Sequence, residues 1–156
     1  MTTNEKLVDV LNDLIEINND RVTGYEKAID AIDANDVDLK TIFRKMADES
    51  IGYRNDLSAQ VSKLGGDVAE GTTGLGKIYR AWMDVKTTFS TNDRQSTLES
   101  CEGGEDAAQK AYKEALESDA EMSAEVRQLI ASQQSELKTA HDLIRKYRDL
   151  HETVNS

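Results

Sequence analysis

The 156-residue chain contains no proline, and its nine glycines are confined to a few places. Gly24 and Gly52 fall inside apolar-periodic segments, Gly103 and Gly104 form a pair inside another, and the other five lie between Gly65 and Gly76. With no proline to remove backbone donors and glycine so restricted, the chain reads as mostly helix. Cys101 is the single cysteine, which excludes an intrachain disulfide and makes a cytoplasmic protein the default expectation. Basic residues are few: 19 Lys and Arg stand against 30 Asp and Glu, a formal net charge of −11. That excess favours solubility and argues against grip on a phosphate backbone, so no nucleic-acid partner is expected. No stretch approaches the ~20 apolar residues needed to cross a bilayer, and Met1 to Lys6 is not followed by the apolar core of a signal peptide. The reading is one soluble domain over residues 1–156, without membrane contact.

Four apolar-periodic segments are present. The first, Thr3 to Asp33, carries Leu7, Leu11, Leu14, Ile15, Val22, Tyr25, Ile29 and Ile32 on one arc, with Asn18 near its centre and Arg21 at its edge. Asn35 and Asp36 form a turn, and either can cap the next helix. That second helix, Val37 to Leu64, turns Leu39, Ile42, Phe43, Met46, Tyr53, Leu57 and Val61 inward. Ser50 shares its stripe, Glu49 flanks it, and Gly65-Gly66 ends it as a C-cap pair. A third helix runs from Asn92, with Gln95 placed for a capping box, to Glu117. The fourth, Ala124 to Glu152, buries Val126, Ile130, Leu137, Ala140, Ile144 and Tyr147, with Gln133 central and His141 beside it.

The joints between these helices are short, long, short. The long one, with Ile78, Trp82, Val85 and Phe89 at helical spacing, predicts a short helix inside the connection. Its roughly 27 residues are enough to return along the length of a helix at 1.5 Å rise per residue. Helices 2 and 3 are then parallel, which predicts an all-α, ferritin-like four-helix bundle with a long crossover. A plain up-and-down bundle with a decorated loop is the alternative.

Glu105 stands where the third helix should bury an apolar residue. Leu98, Cys101, Ala108, Tyr112 and Leu116 form one stripe, and at ~100° per residue Glu105 lies near its middle. An ionised carboxylate there needs a metal, a cation or a hydrogen-bond network. Folding the two hairpins predicts a midplane polar layer of Asn18, Glu49, Ser50, Tyr53, Cys101, Glu105, Gln133 and His141. Two readings follow. In the favoured one, Glu105 pairs with Arg21 or Arg54, or is hydrogen-bonded by Tyr25, Tyr53 and Gln133, and fixes helix register without chemistry. In the other, Glu49, Glu105 and His141 hold a divalent metal such as iron, manganese or zinc, with redox activity a possibility. Di-metal bundles take one Glu from each of two helices and a Glu-x-x-His pair from each of the others. Here Lys138 precedes His141 by three residues, Arg148 precedes His151 by three, and Gly52 follows Glu49 by three. No such pair exists, and the set is thin for two metals.

Two motif-like stretches carry little. Gly71-Thr72-Thr73-Gly74-Leu75-Gly76-Lys77 matches most of a Walker A loop, but Ile78 replaces the hydroxyl residue that would bind Mg²⁺ and no strand precedes it. Cys101 with His141 could be a nucleophile pair, yet a cysteine on an apolar stripe is usually a small buried hydrophobe. Gly103-Gly104 suggests close approach of the crossover with Trp82, or a local kink.

Leu11-Asn12-Asp13-Leu14-Ile15-Glu16, Gly24-Tyr25, Tyr79-Arg80-Ala81-Trp82-Met83, Cys101-Glu102-Gly103-Gly104-Glu105-Asp106 and Ala140-His141-Asp142 resemble the signature stretches of a family of small bacterial four-helix-bundle proteins. That family carries a domain-of-unknown-function label within the ferritin-like superfamily. The resemblance implies a ferritin-like fold in a bacterial, cytoplasmic protein, and supplies no substrate. With no complete catalytic motif, the sequence points to a non-catalytic bundle acting through assembly, as a homo-oligomer or with a protein partner. A role in stress adaptation is the superfamily-level expectation. Glu16 and Asp20 fall on the polar face of the first helix, as solvated acids or a docking surface.

Overall fold

The computed structural model of the chain describes residues 3–32, 34–70 and 94–155. Four helices are found there: α1 (Thr3–Ala31), α2 (Val37–Lys63), α3 (Arg94–Glu117) and α4 (Ala124–Asn155). Each lies within a few residues of the span its apolar periodicity predicts. The short helix expected within the long crossover, and the Walker-like stretch, lie outside the described residues.

Hydrogen bonds between helices give the topology. Along α1 and α3, Lys6 meets Asp119, Asn18 meets Tyr112 and Tyr25 meets Glu105, so the two run antiparallel. Between α2 and α4, Gln60 and Lys63 reach Glu125 while Gln133 reaches Tyr53, again antiparallel. The short turns make α1–α2 and α3–α4 antiparallel hairpins, so α2 and α3 must be parallel. Their N-terminal ends are tied directly, because Arg94 donates to Asp36 at 2.8 Å and forks onto Asp38 at 2.8 and 3.2 Å. The chain therefore leaves α2 at one end of the bundle and enters α3 at the other, the one-crossover arrangement of ferritin-like bundles.

One apolar core runs the length of the bundle. Leu11, Leu14, Ile15, Leu39, Phe43, Leu57, Leu98, Ile130, Leu137 and Ile144 are almost wholly removed from water. Each such side chain contributes ~1.5–3 kcal/mol relative to exposure. Tyr25 and Phe43 pack with ring centroids 5.5 Å apart. The helix ends follow local chemistry. The Ser123 Oγ accepts from the Val126 N–H at 3.2 Å, an N-cap for α4. Asp36 occupies the N-cap position of α2 but makes no side-chain cap bond, because its carboxylate goes to Arg94. Gln95 donates to Glu99 at 3.0 Å, and Asn92, its expected capping partner, lies outside the described residues. The helix passes through Gly103 and Gly104 without a break.

α2 ends in a Schellman motif. The Gly65 N–H bonds to the Ser62 carbonyl and the Gly66 N–H to the Val61 carbonyl, with Gly65 at φ +79°. Space is open around Gly65, whereas a Cβ on Gly66 would stand 2.8 Å from both Val8 methyls. Gly65→Ala is therefore a backbone effect alone. It should lower stability by about 1–2 kcal/mol, the left-handed penalty of an L-residue, as measured by urea unfolding.

Candidate functional site: a buried polar layer

Glu105 is fully buried and its partner is Arg21, also fully buried. The Arg21 Nε–H donates to Glu105 Oε1 at 2.5 Å, and Nη2 reaches Oε2 at 3.4 Å. The Tyr25 hydroxyl donates to the same Oε1 at 2.8 Å. Arg21 Nη1 donates to the Met46 carbonyl at 3.0 Å and to Ser50 Oγ at 2.8 Å, and Nη2 also faces Met46 Sδ at 3.4 Å. A guanidinium has five N–H donors in a fixed fork, and each of these five has an acceptor. Its carbon sits 5.3 Å from the Tyr25 ring centroid, adding a cation–π contact.

The layer continues past this pair. Ser50 Oγ donates to Asn18 Oδ1 at 2.9 Å. Asn18 Nδ2 donates to the Leu14 carbonyl at 2.9 Å and to the Tyr112 hydroxyl at 2.8 Å. Tyr112 donates in turn to Gln133 Oε1 at 2.7 Å, and Gln133 Nε2 donates to the Tyr53 carbonyl at 3.3 Å. One connected network thus joins all four helices. Electrostatics follow the same geometry. Burial alone would lower the Arg21 pKa, but the Glu105 carboxylate outweighs it and holds Arg21 charged. Burial first, and Glu105 second, push the Tyr25 hydroxyl and the Cys101 thiol well up, so both stay protonated. Cys101 is buried and its thiol neutral, which removes the nucleophile that a Cys101–His141 pair would need.

The expected midplane residues divide. Asn18, Ser50, Glu105 and Gln133 are in the network, Tyr53 joins through its carbonyl, and Cys101 lies in the adjacent core. Gln133 meets Tyr112, not Glu105, so the α3–α4 register differs from the one that simple folding about the turn implies. Glu49 is half-buried in a crevice with Tyr53, Glu136 and Thr139. His141 lies at the outer side of α3 and α4, with Nε2 2.5 Å from Asp106 Oδ1. Among the described residues, the His, Cys, Asp and Glu groups whose ligand atoms converge are Glu102, Asp106 and His141, and Glu49 and Glu105 are not in that set. Tyr112 and Arg21 are the members that periodicity undervalues. Tyr112 reads as core and Arg21 as an edge residue, yet both are completely buried. Asp20, expected on the solvated face, is also buried, and Glu16 is partly so.

A ferritin-like frame implies a metal centre between the helices. The residues at the middle of this bundle do not fit one. Both Glu105 oxygens accept bonds from Arg21, and the guanidinium fills the cation's place with its own donors satisfied. No step through a central di-metal group follows from this chemistry.

Residues 6–118 match the family described as a domain of unknown function, DUF2383. No curated protein matches. Among solved structures, a mutant of Dps1 from Mycobacterium smegmatis superposes with a TM-score of 0.76 at 12% identity, covering 95% of this chain and 99% of that one. At that identity the likeness speaks for the fold alone.

Glu49 supplies a test of the layer's electrostatics. Burial pushes its carboxyl up; Arg21 and Lys45 oppose the shift, and Glu105 and Glu136 add to it. A raised folded pKa means the stabilisation is full below the unfolded value and is lost as pH rises through the folded one. Glu49→Gln should therefore be more stable than the parent at pH 7, by less than about 1 kcal/mol for a half-exposed group. The gap should close near about pH 4. Urea unfolding at both pH values checks this, and a gap of equal size at each would contradict it.

Proposed function

We propose, from the premise that this chain belongs to the DUF2383 domain-of-unknown-function family and has a ferritin-like fold, that it is a non-catalytic bundle acting through assembly or protein contacts. The observation that carries this reading is the Arg21–Glu105 pair. An internal guanidinium takes the position that a metal-carboxylate enzyme would reserve for its ion. The centre is then a register lock, leaving the surface as the working part of the molecule. In this reading residues 1–156 make one domain, working in the cytoplasm. A stress-related role is its superfamily-level extension.

Two surface features support assembly. Val37 and Leu150 are large apolar side chains left 64% and 53% exposed. The antiparallel packing of α2 and α4 sets both at the same end of the bundle, where α2 begins and α4 ends. No helix among the described residues is long and apolar enough to cross a membrane. Use of Glu49, Glu105 and His141 as one metal set has less support, because Glu105 is already committed to Arg21 and Tyr25.

The test takes the full chain and measures its mass across a concentration series, together with oxygen uptake on addition of Fe²⁺. The expected result is mass above the 17.3 kDa monomer and oxidation no faster than buffer. Saturable Fe²⁺ oxidation abolished by Glu105→Gln would overturn the reading. A monomer at every concentration would remove self-assembly and leave contacts with other proteins as its content.

A further inference from the structure

The acids of α3 face two ways. Glu105 points into the bundle, while Glu102 and Asp106, four residues apart and so one turn apart on one face, point outward beside α4. His141 of α4 meets them there. One ligand atom from each of Glu102, Asp106 and His141 lies within 4.8 Å of the other two. We propose that these three residues bind a single divalent first-row transition-metal ion such as Zn²⁺, at a peripheral site separate from the bundle's centre.

A neutral imidazole nitrogen with two carboxylate oxygens is a mixed N/O donor set, which suits zinc and its neighbours in the series better than Ca²⁺ or Mg²⁺. The imidazole is also oriented for the task. His141 Nδ1 lies 3.1 Å from Asp142 Oδ1, so an Nδ1–H donated to Asp142 leaves Nε2 facing the two acids. A carboxylate on the far nitrogen of a ligating histidine is the usual outer support, fixing both tautomer and ring orientation. Glu102 has comparable support, since Arg148 Nη1 donates to its Oε2 and restrains the carboxylate. Glu102 and His141 are 13% and 14% exposed, whereas Asp106 is 63% exposed, so the site is walled on the helix side and open to solvent on the other. Three protein ligands and an open face leave a coordination position for water. Without the ion, a proton between His141 Nε2 and Asp106 Oδ1 occupies the same gap; the ion takes its place and the proton goes to solvent.

The experiment uses the untagged full chain, stripped with chelator and titrated calorimetrically with Zn²⁺, then with Co²⁺ while visible absorption is followed. Saturable uptake of one equivalent is expected, with a Co²⁺ spectrum of low coordination number. His141→Ala and Asp106→Asn should each weaken Zn²⁺ at least tenfold while helical circular dichroism stays unchanged. Asp142→Asn should weaken it less, and His151→Ala, at the chain's other histidine, should leave it as it was. A wild-type chain with no saturable uptake would overturn the proposal. So would a His141→Ala protein that binds as tightly as the parent. The reading of the central layer depends on Glu105, so either result leaves it standing.

Discussion

A charged pair with no access to water holds this bundle in register. Removing a guanidinium and a carboxylate from solvent costs several kcal/mol per ion, and their mutual attraction offsets this only when the remaining donors and acceptors are also met. Here they are met by a defined set. Arg21 brings five N–H groups, and Glu105, the Met46 carbonyl and sulfur, and Ser50 accept them. Because those acceptors come from α2 and α3, α1 cannot slide or turn without stranding a charge. The pair therefore constrains three helices at once, and the Asn18–Tyr112–Gln133 chain extends the constraint to the fourth.

The same arrangement separates fold from chemistry. The helix order and the parallel α2–α3 pair are those of ferritin-like bundles, but a fold does not carry a function with it. In this chain the centre is occupied by its own cation. The groups that still have the geometry of metal ligands lie outward on α3 and α4, where Glu102, Asp106 and His141 converge. Glu105 of α3 thus locks the interior, while Glu102 and Asp106 lie on the helix's outer side beside α4.

Much of this was legible from residue spacing. The helices, their short-long-short joints and the misplaced Glu105 follow from apolar periodicity, and Arg21 and Tyr25 stood among its expected partners. What periodicity could not give was rotation and register finer than a turn. Arg21 lay at the edge of an arc, and in the bundle, bonded to both α2 and α3, it is fully buried. Tyr112 counted as core because its ring is apolar, although its hydroxyl links two helices. Asp20 looked solvated because a helical wheel sees one helix and not what covers it. The outer cluster was invisible for a related reason. Glu102, Asp106 and His141 stand in two separate motif-like stretches, and only the α3–α4 register sets them against one another; that register is not written in either helix alone.

Arg21 and Glu105 act as one unit, and a double-mutant cycle measures this directly. Arg21→Met, Glu105→Leu and the double variant would be unfolded in urea at pH 7 alongside the parent. Each single change should lose about 3–5 kcal/mol, because it leaves the other charge buried without a partner. The double variant should lose no more than either single change, giving a coupling of about 3 kcal/mol or more. Losses that add to within about 0.5 kcal/mol would contradict it.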